Sequence, residues 1–308
     1  MPAEARLRWY ARFFDTVEVN ATYYALPSPR NAQLWVARTP PDFLFQVKAY
    51  SLMTGHHPRA DSLPADLRLM LPEDVPLTRR GEVDRDRFPA EALDRCFELF
   101  REGLAPLAGA GKLGYVLFQL APWVRYGEAA LDYLASLPRR LPGFAVAVEF
   151  RNASWIPERT DEVLRFLADH GLVFVAIDAP WQPFVPAATA PGWVVFRFHG
   201  QNVKGWLDQL AGKEPSVAEK YDYLYGPDEL AVLARRVRAF GGHARRVAVT
   251  FNNNNLDYPV RNALDLKRLL GLETREVEPA TEAAVEERPP QRAVSGDLFA
   301  AEPGDDTR

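Results

Sequence analysis

The chain has 308 residues, of which 47% are hydrophobic and 25% charged, as in an ordinary globular protein. Its apolar runs are far shorter than the roughly 20 residues of a membrane span, and the first residues show no secretion signal. These features predict a cytoplasmic protein with no membrane partner. The single cysteine, Cys96, excludes an internal disulfide bond and a zinc site built from cysteines.

The net charge of −4 is unevenly distributed along the chain. Residues 273–308 carry ten acidic and four basic side chains, whereas residues 1–272 carry 31 acidic and 33 basic ones. The last segment is also polar and contains proline, which predicts a disordered acidic tail after a folded domain of residues 1–272. Because that domain is nearly neutral, it offers no broad positive surface to nucleic acid, and any anion must bind locally.

Seven apolar segments are predicted to be β-strands, and most are followed by a helical pattern. In chain order the strands are residues 13–20, 43–49, 114–121, 144–150, 172–178, 193–199 and 246–252. Helices are predicted at residues 90–107, 127–137, 160–170, 227–240 and 259–270. Strands that alternate with helices and are apolar almost throughout predict a parallel α/β sheet covered on both faces.

A (β/α)8 TIM-type barrel needs eight strands, and no strand precedes the helix-like AEARLRWYARFF at the start of the chain. The alternatives are a barrel that lacks its first strand, as a misassigned start codon would produce, and an open sheet. Residues 51–87 form a connection rich in Pro, Asp and Arg that is longer than a usual βα loop, and we interpret it as a lid or insertion. In it, His56 and His57 are expected to face solvent.

Most predicted strands begin apolar and end in polar residues. Glu149 and Arg151, two positions apart at one such end, are expected on the same face because strand side chains alternate. In parallel α/β sheets the carboxyl ends meet at one rim, where ligands bind. The candidate rim residues are Glu18, Asn20, Lys48, Gln119, Glu149, Arg151, Asp178, Arg197, His199, Asn252 and Asn253.

These residue types favour a hydrolase or lyase that acts on a phosphorylated or sugar-containing substrate, including a nucleic-acid end or damaged nucleotide. Glu149 or Glu18 would serve as the base, because a carboxylate beside cations stays ionised. His199 is the rim residue expected to exchange a proton near neutral pH, and Lys48 would stabilise developing charge. Asp178 completes the predicted catalytic set.

Arg151 and Arg197 suit the binding of phosphate or carboxylate, and Asn252 and Asn253 the binding of hydroxyl groups or the orientation of a water. Trp181 lies beside polar loop residues, from which it could stack on a sugar or base or simply pack.

Other interpretations of the rim stay open. Glu18, Glu149, Asp178 and His199 could hold Mg²⁺, Mn²⁺ or Zn²⁺, but three cations at the same rim oppose a divalent ion, and we assign no metal or cofactor. The rim could also bind an anionic metabolite or nucleic-acid end without chemistry. Finally, its charges could be ion pairs that only fill the barrel.

Six motifs in fixed order resemble those of the YecE-like family (domain of unknown function 72). They are FDTVEVNATYYALPS, FLFQVKA, VLFQLAP, VEFRNASW, VVFRFHG with YDYLYGPDEL, and TFNNNN with RNALDL. The resemblance implies a TIM-type barrel, adds Tyr23, Trp155 and Gly200 to the substrate-binding residues, and implies no reaction. Family members also begin with a strand that this chain does not include.

The segment SGDLF at residues 295–299 is an apolar pair in acidic surroundings. Its Asp297, Leu298 and Phe299 resemble the short peptides that dock on bacterial sliding clamps, although the leading Gln of those peptides is missing. A tethered motif of this kind raises the local concentration of its protein at the partner. The resemblance implies a sliding-clamp partner and a link to DNA replication or repair.

Overall fold

The computed structural model describes residues 3–210 and 216–272. Seven parallel strands form one sheet in the order in which they occur in the chain, and the sheet curls into a nearly closed barrel. The strands are β1 (Thr16–Val19), β2 (Leu44–Lys48), β3 (Leu113–Gln119), β4 (Val146–Glu149), β5 (Val173–Asp178), β6 (Trp193–Phe198) and β7 (Arg246–Phe251). The prediction of a parallel α/β barrel with seven visible strands is confirmed.

Helices lie between most of the strands in the sequence, and the longer ones pack on the outside of the barrel. They are α1 (Ala3–Tyr10), α2 (Ala21–Tyr24), α3 (Pro29–Ala37), α4 (Ala65–Arg68), α5 (Ala90–Gly109), α6 (Glu128–Arg140), α7 (Thr160–Asp169), α8 (Val203–Leu210), α9 (Val217–Lys220), α10 (Pro227–Ala239) and α11 (Tyr258–Leu270). None of these helices has the length and apolar character needed to cross a lipid bilayer. The predicted tail, including the clamp-like motif, lies outside the described residues.

The alternation of strand side chains divides the core into two layers. Inside the barrel, Tyr115, Leu117 and Ala147 pack together with Val175 and Val195. The odd-numbered positions of β3 to β6 therefore face inward. The residues between them pack outward, beneath the helices, and include Val116, Phe118, Val148, Phe174, Phe196 and Phe198.

The helices follow from their own sequence patterns. In α5, buried residues recur every three or four positions, as at Cys96, Phe100, Leu104 and Leu107, so that one face packs on the sheet. At the start of α10, Pro227 occupies the first turn, and the backbone N–H of Gly226 donates to Glu229 at 2.8 Å.

The strands β1 and β7 are the edges of the sheet, and within the described part of the chain no ladder joins them. A tertiary contact lies on this side instead. Lys267 of α11 donates from Nζ to the carbonyl oxygen of Phe13 at 3.0 Å and to Asp15 at 3.2 Å. The helix that follows β7 is thus attached to the segment that enters β1.

The connection after β2 is folded onto the barrel. It contains a short 3₁₀ turn at Ser51–Thr54, and isolated bridges pair Arg59 with Glu82 and Leu77 with Val83. Its apolar residues Leu52, Met53, Leu67 and Val83 are buried. The connection therefore forms part of the wall at the carboxyl end of β2.

Candidate functional site

Three inward-facing residues from distant strands form a buried ion-pair cluster, which consists of Glu18 of β1, Glu149 of β4 and Arg197 of β6. Arg197 donates to Glu18 twice, from Nε at 2.9 Å and from Nη2 at 2.7 Å. Its Nη1 donates to Oε2 of Glu149. Both Arg197 and Glu149 are fully buried.

The side chains of this cluster keep one another ionised. Burial would raise the pKa of Glu149, but Arg151 and Arg197 outweigh it and hold the pKa well below its usual range. Burial would lower the pKa of Arg197, whereas Glu149 and Glu18 raise it above its ordinary value. Glu149 is therefore a weak proton acceptor, and Arg197 already serves as its counter-ion.

Arg151 lies between this cluster and the open end of the barrel. Its Nη2 is 2.5 Å from Oε1 of Glu149 and 3.3 Å from Nε2 of His199. The guanidinium carbon is 4.9 Å from the ring centre of Trp181. The side chain of Arg151 is 9% exposed, and its Nε–H is buried without an acceptor among the described residues.

Lys48 is a second cation at the open end. Its Nζ lies over the ring of Tyr23, 4.6 Å from the ring centre, and no carboxylate of residues 3–210 or 216–272 lies within ion-pairing distance. Burial, reinforced by the charge of Arg197, lowers the pKa of Lys48 to about 8. A part of the side chain still reaches solvent.

Lys220 of α9 is a third cation at the open end, one that the strand-end pattern did not predict. Tyr221, which follows Lys220, has its ring centre 6.2 Å from that of His199, and His199 in turn contacts Arg151. Burial and the charge of Arg151 lower the pKa of Lys220 to about 8. Its Nζ lies 5.5 Å from the ring centre of Tyr221. The family-like motif YDYLYGPDEL begins at the next residue, Tyr221, and was the feature of the sequence that could have drawn attention to Lys220. Lys48, Arg151 and Lys220 are called the cationic mouth below.

His199 follows β6 and is buried beside Arg151. Nδ1 of His199 lies 3.0 Å from Nδ2 of Asn252, and its Nε2 lies 3.7 Å from Oε1 of Glu149. Burial and the charge of Arg151 lower the pKa of His199 to about 3. The imidazole is therefore neutral at pH 7. This argues against the prediction that His199 exchanges a proton near neutral pH.

His56 also belongs to the open end, although it was expected to face solvent. Its Nδ1 is 2.8 Å from Oγ1 of Thr54, and its ring lies edge-on to Tyr23 and Trp123. Burial, and then the charge of Lys48, lower the pKa of His56 to about 3. His56 therefore adds a neutral polar group to this end of the barrel.

Asp178 is not a member of the inward-facing set. It follows Ile177, which packs inside the barrel, so its side chain points outward by the alternation of the strand. The hydroxyl of Tyr225 donates to Asp178 at 2.6 Å and accepts from the backbone N–H of Gly200 at 2.9 Å. Asp178 thus holds the loop after β6, and this position does not support its predicted place in the catalytic set.

Gly200 and Asn253 also shape this loop. Gly200 has φ of +84°, and a Cβ atom there would lie 2.7 Å from Cβ of Tyr223, so the position requires glycine. Asn253 is buried and donates to Asn262 at 3.0 Å and to the carbonyl oxygen of Tyr223 at 2.8 Å. Both residues position the chain rather than present a side chain at the mouth.

The remaining predicted residues take different places. Gln119 is half-buried, with Oε1 3.5 Å from Nη1 of Arg197, and Asn20 is exposed before α2. Trp155 is fully buried, stacks on Phe150 and donates to the carbonyl oxygen of Val124. Its position does not support the expected contact with substrate, because its ring is enclosed by the core.

No three His, Cys, Asp or Glu side chains in the described ranges are arranged to hold a metal ion. Of the four residues weighed for this role, Asp178 faces outward, and both glutamates are paired with Arg197. The donor set therefore does not fit a divalent cation.

The family model described as "Protein of unknown function DUF72" matches residues 1–288. The chain belongs to the DUF72 family. This confirms the resemblance stated from the motifs, because the YecE-like name is consistent with the same family.

Three relatives are similar over most of the chain. UPF0759 protein YunF of Bacillus subtilis (strain 168) is 30% identical, over 88% of this chain and 88% of that protein. A DUF72 crystal structure from Enterococcus faecalis V583 has a TM-score of 0.73 and 27% identity, covering 89% of this chain and 91% of that one. A structure from Thermotoga maritima MSB8 has a TM-score of 0.66 and 28% identity, covering 88% and 90%.

Proposed function

We propose that the cationic mouth binds a small anionic substrate, phosphorylated or sugar-containing, and that this DUF72 protein is an enzyme of the hydrolase or lyase type. The observation that carries the proposal is the buried Nε–H of Arg151, which has no acceptor among the described residues. A buried donor without a partner costs free energy, and a phosphate or carboxylate oxygen would restore the hydrogen bond.

The charges around Arg151 support the same ligand class. The pKa values of Lys48 and Lys220 are both lowered to about 8, first by burial and then by nearby arginine charges. Burial and an arginine charge thus disfavour the protonated form of each lysine, and a bound anion would favour it. The rings of Tyr23 and Trp181 pack on Lys48 and Arg151, and offer aromatic surface to the carbon skeleton of a sugar.

Of the two reaction types, we favour a lyase because of the protonation states of Glu149 and Lys48. A hydrolase needs a base that accepts a proton from water, and the low pKa of Glu149 makes it a poor acceptor. Lys48 is a better candidate for a reactive group, as the nucleophile of a lyase, because its lowered pKa lets it lose a proton near neutral pH.

Calorimetric titration with inorganic phosphate and with ribose 5-phosphate at pH 7 tests the anion site. The wild-type chain should bind both, and Arg151→Gln and Lys220→Gln should each weaken binding by about tenfold or more, as expected for a charge-assisted contact. Arg235→Gln, at an exposed position of α10, removes the same charge elsewhere and should change nothing. Failure of the wild-type chain to bind either anion rejects the proposal.

A second candidate is a binding protein that holds an anionic metabolite or nucleic-acid end without chemistry. The pairing of Glu18 and Glu149 with Arg197 favours a binding protein, because neither carboxylate of that cluster is then available as a base. Sugar phosphates and abasic DNA distinguish the two: a binder raises its melting temperature and forms no product.

Recruitment by a sliding clamp through Asp297, Leu298 and Phe299 stays a proposal, to be tested by clamp binding with and without residues 295–299.

A further inference from the structure

We propose that Lys48 forms an imine with the carbonyl carbon of a small aldehyde or ketone whose phosphate or carboxylate group is held by Arg151 and Lys220. The inference rests on the proposed anion site and deepens it, because it names the substrate class as an anionic carbonyl compound.

The placement of Lys48 suits a nucleophile. It is the last residue of β2 and pairs in register with Leu117, whose side chain packs inside the barrel. Its Nζ contacts the ring face of Tyr23, and no ion pair holds it among the described side chains. The nitrogen therefore stands at the inner end of the mouth and is not committed to a structural contact.

Two other buried lysines show what structural lysines look like in this fold. Nζ of Lys112 donates to the carbonyl oxygens of Val36 and Thr39, each at 2.8 Å, and lies 3.0 Å from the hydroxyl of Thr39. Nζ of Lys267 donates to Phe13 and Asp15. Their hydrogen-bonding capacity is used, whereas Nζ of Lys48 donates to no acceptor among the described residues.

The protonation of Lys48 also suits this role, because only a neutral amine attacks a carbonyl carbon. With its pKa lowered to about 8, Lys48 is neutral in about a tenth of molecules at pH 7. A lysine with the ordinary pKa is neutral in roughly one molecule in three thousand. Burial and Arg197 thus supply reactive amine without a neighbouring base.

The chemical step is balanced without a further reactant. The nitrogen lone pair forms a C–N bond, and the electrons of the carbonyl π bond move to oxygen. The oxygen leaves as water with the two amine protons, and C=N replaces C=O. Protonation by solvent gives an iminium ion, which withdraws electrons from an adjacent C–C or C–H bond, as lyase chemistry requires.

Trapping with sodium borohydride tests the inference on the full chain. The probe is glyceraldehyde 3-phosphate, and hydride addition to the iminium carbon leaves a stable secondary amine. We expect one main adduct, mapped by peptide mass spectrometry to Lys48, with the mass of the probe minus one oxygen atom. Excess inorganic phosphate and omission of the probe's phosphate (glyceraldehyde) should each reduce it at least tenfold.

Variants separate this site from general lysine labelling. Lys48→Arg should abolish the main adduct, whereas Lys204→Arg, at a lysine whose side chain is 88% exposed, should leave it unchanged. Because the adduct is mapped on the wild-type chain, the test stands even if Lys48→Arg fails to fold.

Each outcome of this experiment decides the inference. Calorimetric binding of the probe without an adduct at Lys48, or labelling spread over exposed lysines, overturns the imine and leaves the proposed anion site intact. An adduct at Lys48 that excess phosphate does not reduce supports the lysine but contradicts the anion site.

Discussion

Glu18 and Arg197 lie 179 positions apart in the sequence, and are joined by two hydrogen bonds inside the barrel. The pair connects β1 to β6. Because β1 and β7 form no ladder in the described part of the chain, this pair and the contact of Lys267 with Asp15 link the two sides of the opening. We infer that the buried ion pair contributes to holding the barrel in its nearly closed form.

Breaking this pair should destabilise the protein strongly. Glu18→Gln leaves Arg197 buried with less opposite charge, and we expect the free energy of unfolding to fall by about 3 kcal/mol. Asp94→Asn serves as the control, because it breaks an ion pair with Arg140 in which the Asp94 side chain is 64% exposed. That change should cost less than about 1 kcal/mol. Urea unfolding at pH 7 measures the free energy of unfolding of both variants. Equal losses would contradict the inference that the pair of Glu18 with Arg197 holds the barrel nearly closed.

Glu149→Gln separates the structural role of Glu149 from a catalytic one. The structural role predicts a loss of about 3 kcal/mol, because Arg197 and Arg151 lose their shared partner. A catalytic role predicts loss of turnover with unfolding free energy close to that of the wild type. Parallel measurement of urea unfolding and of product formation on a sugar-phosphate panel distinguishes these results.

Anion binding should weaken in alkaline solution. With pKa values lowered to about 8, Lys48 and Lys220 lose their charges as the pH rises from 7 to 9. We expect the affinity for sulfate, whose own charge is constant over this range, to fall by about tenfold or more at fixed ionic strength. A double variant, Lys48→Arg with Lys220→Arg, keeps its charges and should show a flatter profile. A wild-type profile independent of pH would show that the two lysines do not bind the anion.

His199 should make the protein sensitive to acid. Its pKa is lowered to about 3 in the folded chain, so between about pH 6.5 and 3 the unfolded chain binds a proton that the folded chain does not. Stability is therefore lost as the pH falls through this range, by about 2 kcal/mol between pH 7 and 5. His199→Gln should remove that part of the pH dependence, whereas His243→Gln, at an exposed position, should retain it. Urea unfolding at both pH values provides the comparison.

Gly200 should tolerate no side chain, for two separable reasons. Gly200 and Gly143 have φ of +84° and +80°, but a Cβ atom at Gly143 meets no atom of the described residues within 4 Å, whereas one at Gly200 meets Tyr223 at 2.7 Å. We expect Gly143→Ala to cost about 1 kcal/mol from backbone strain, and Gly200→Ala about 2 kcal/mol more from overpacking. Similar unfolding free energies for the two variants would show that Tyr223 moves aside easily.

The parts of the fold that depend on short-range patterns could be predicted from the sequence. Apolar segments bounded by polar residues marked all seven strands, and the apolar spacing of α5 and the position of Pro227 marked two of the helices. These signals are local, since strand and helix periodicity act over a few residues. The gathering of Glu18, Glu149 and Arg197 at one end followed from parallel strands having their carboxyl ends on the same side.

Other features of the site depended on positions that no local pattern records. Asp178 ends its strand like the other rim residues, yet it lies one position out of phase with the inward face and bonds Tyr225 instead. His56 and Lys220 come from connections between strands, where the chain path is set by tertiary packing. Their contribution to the mouth could not be deduced from strand ends.

By itself the sequence determined where the seven strands and the longer helices form, and that charged side chains follow the buried strands. Only the tertiary structure decided how those charges are used: Arg197 neutralises two carboxylates, whereas Lys48, a partly exposed residue, has no ion pair among the described residues. The reason is physical, because the charge state of a buried group depends on its desolvation and on the charges within a few ångströms. Those distances join residues from different strands, and they exist only once the barrel has formed.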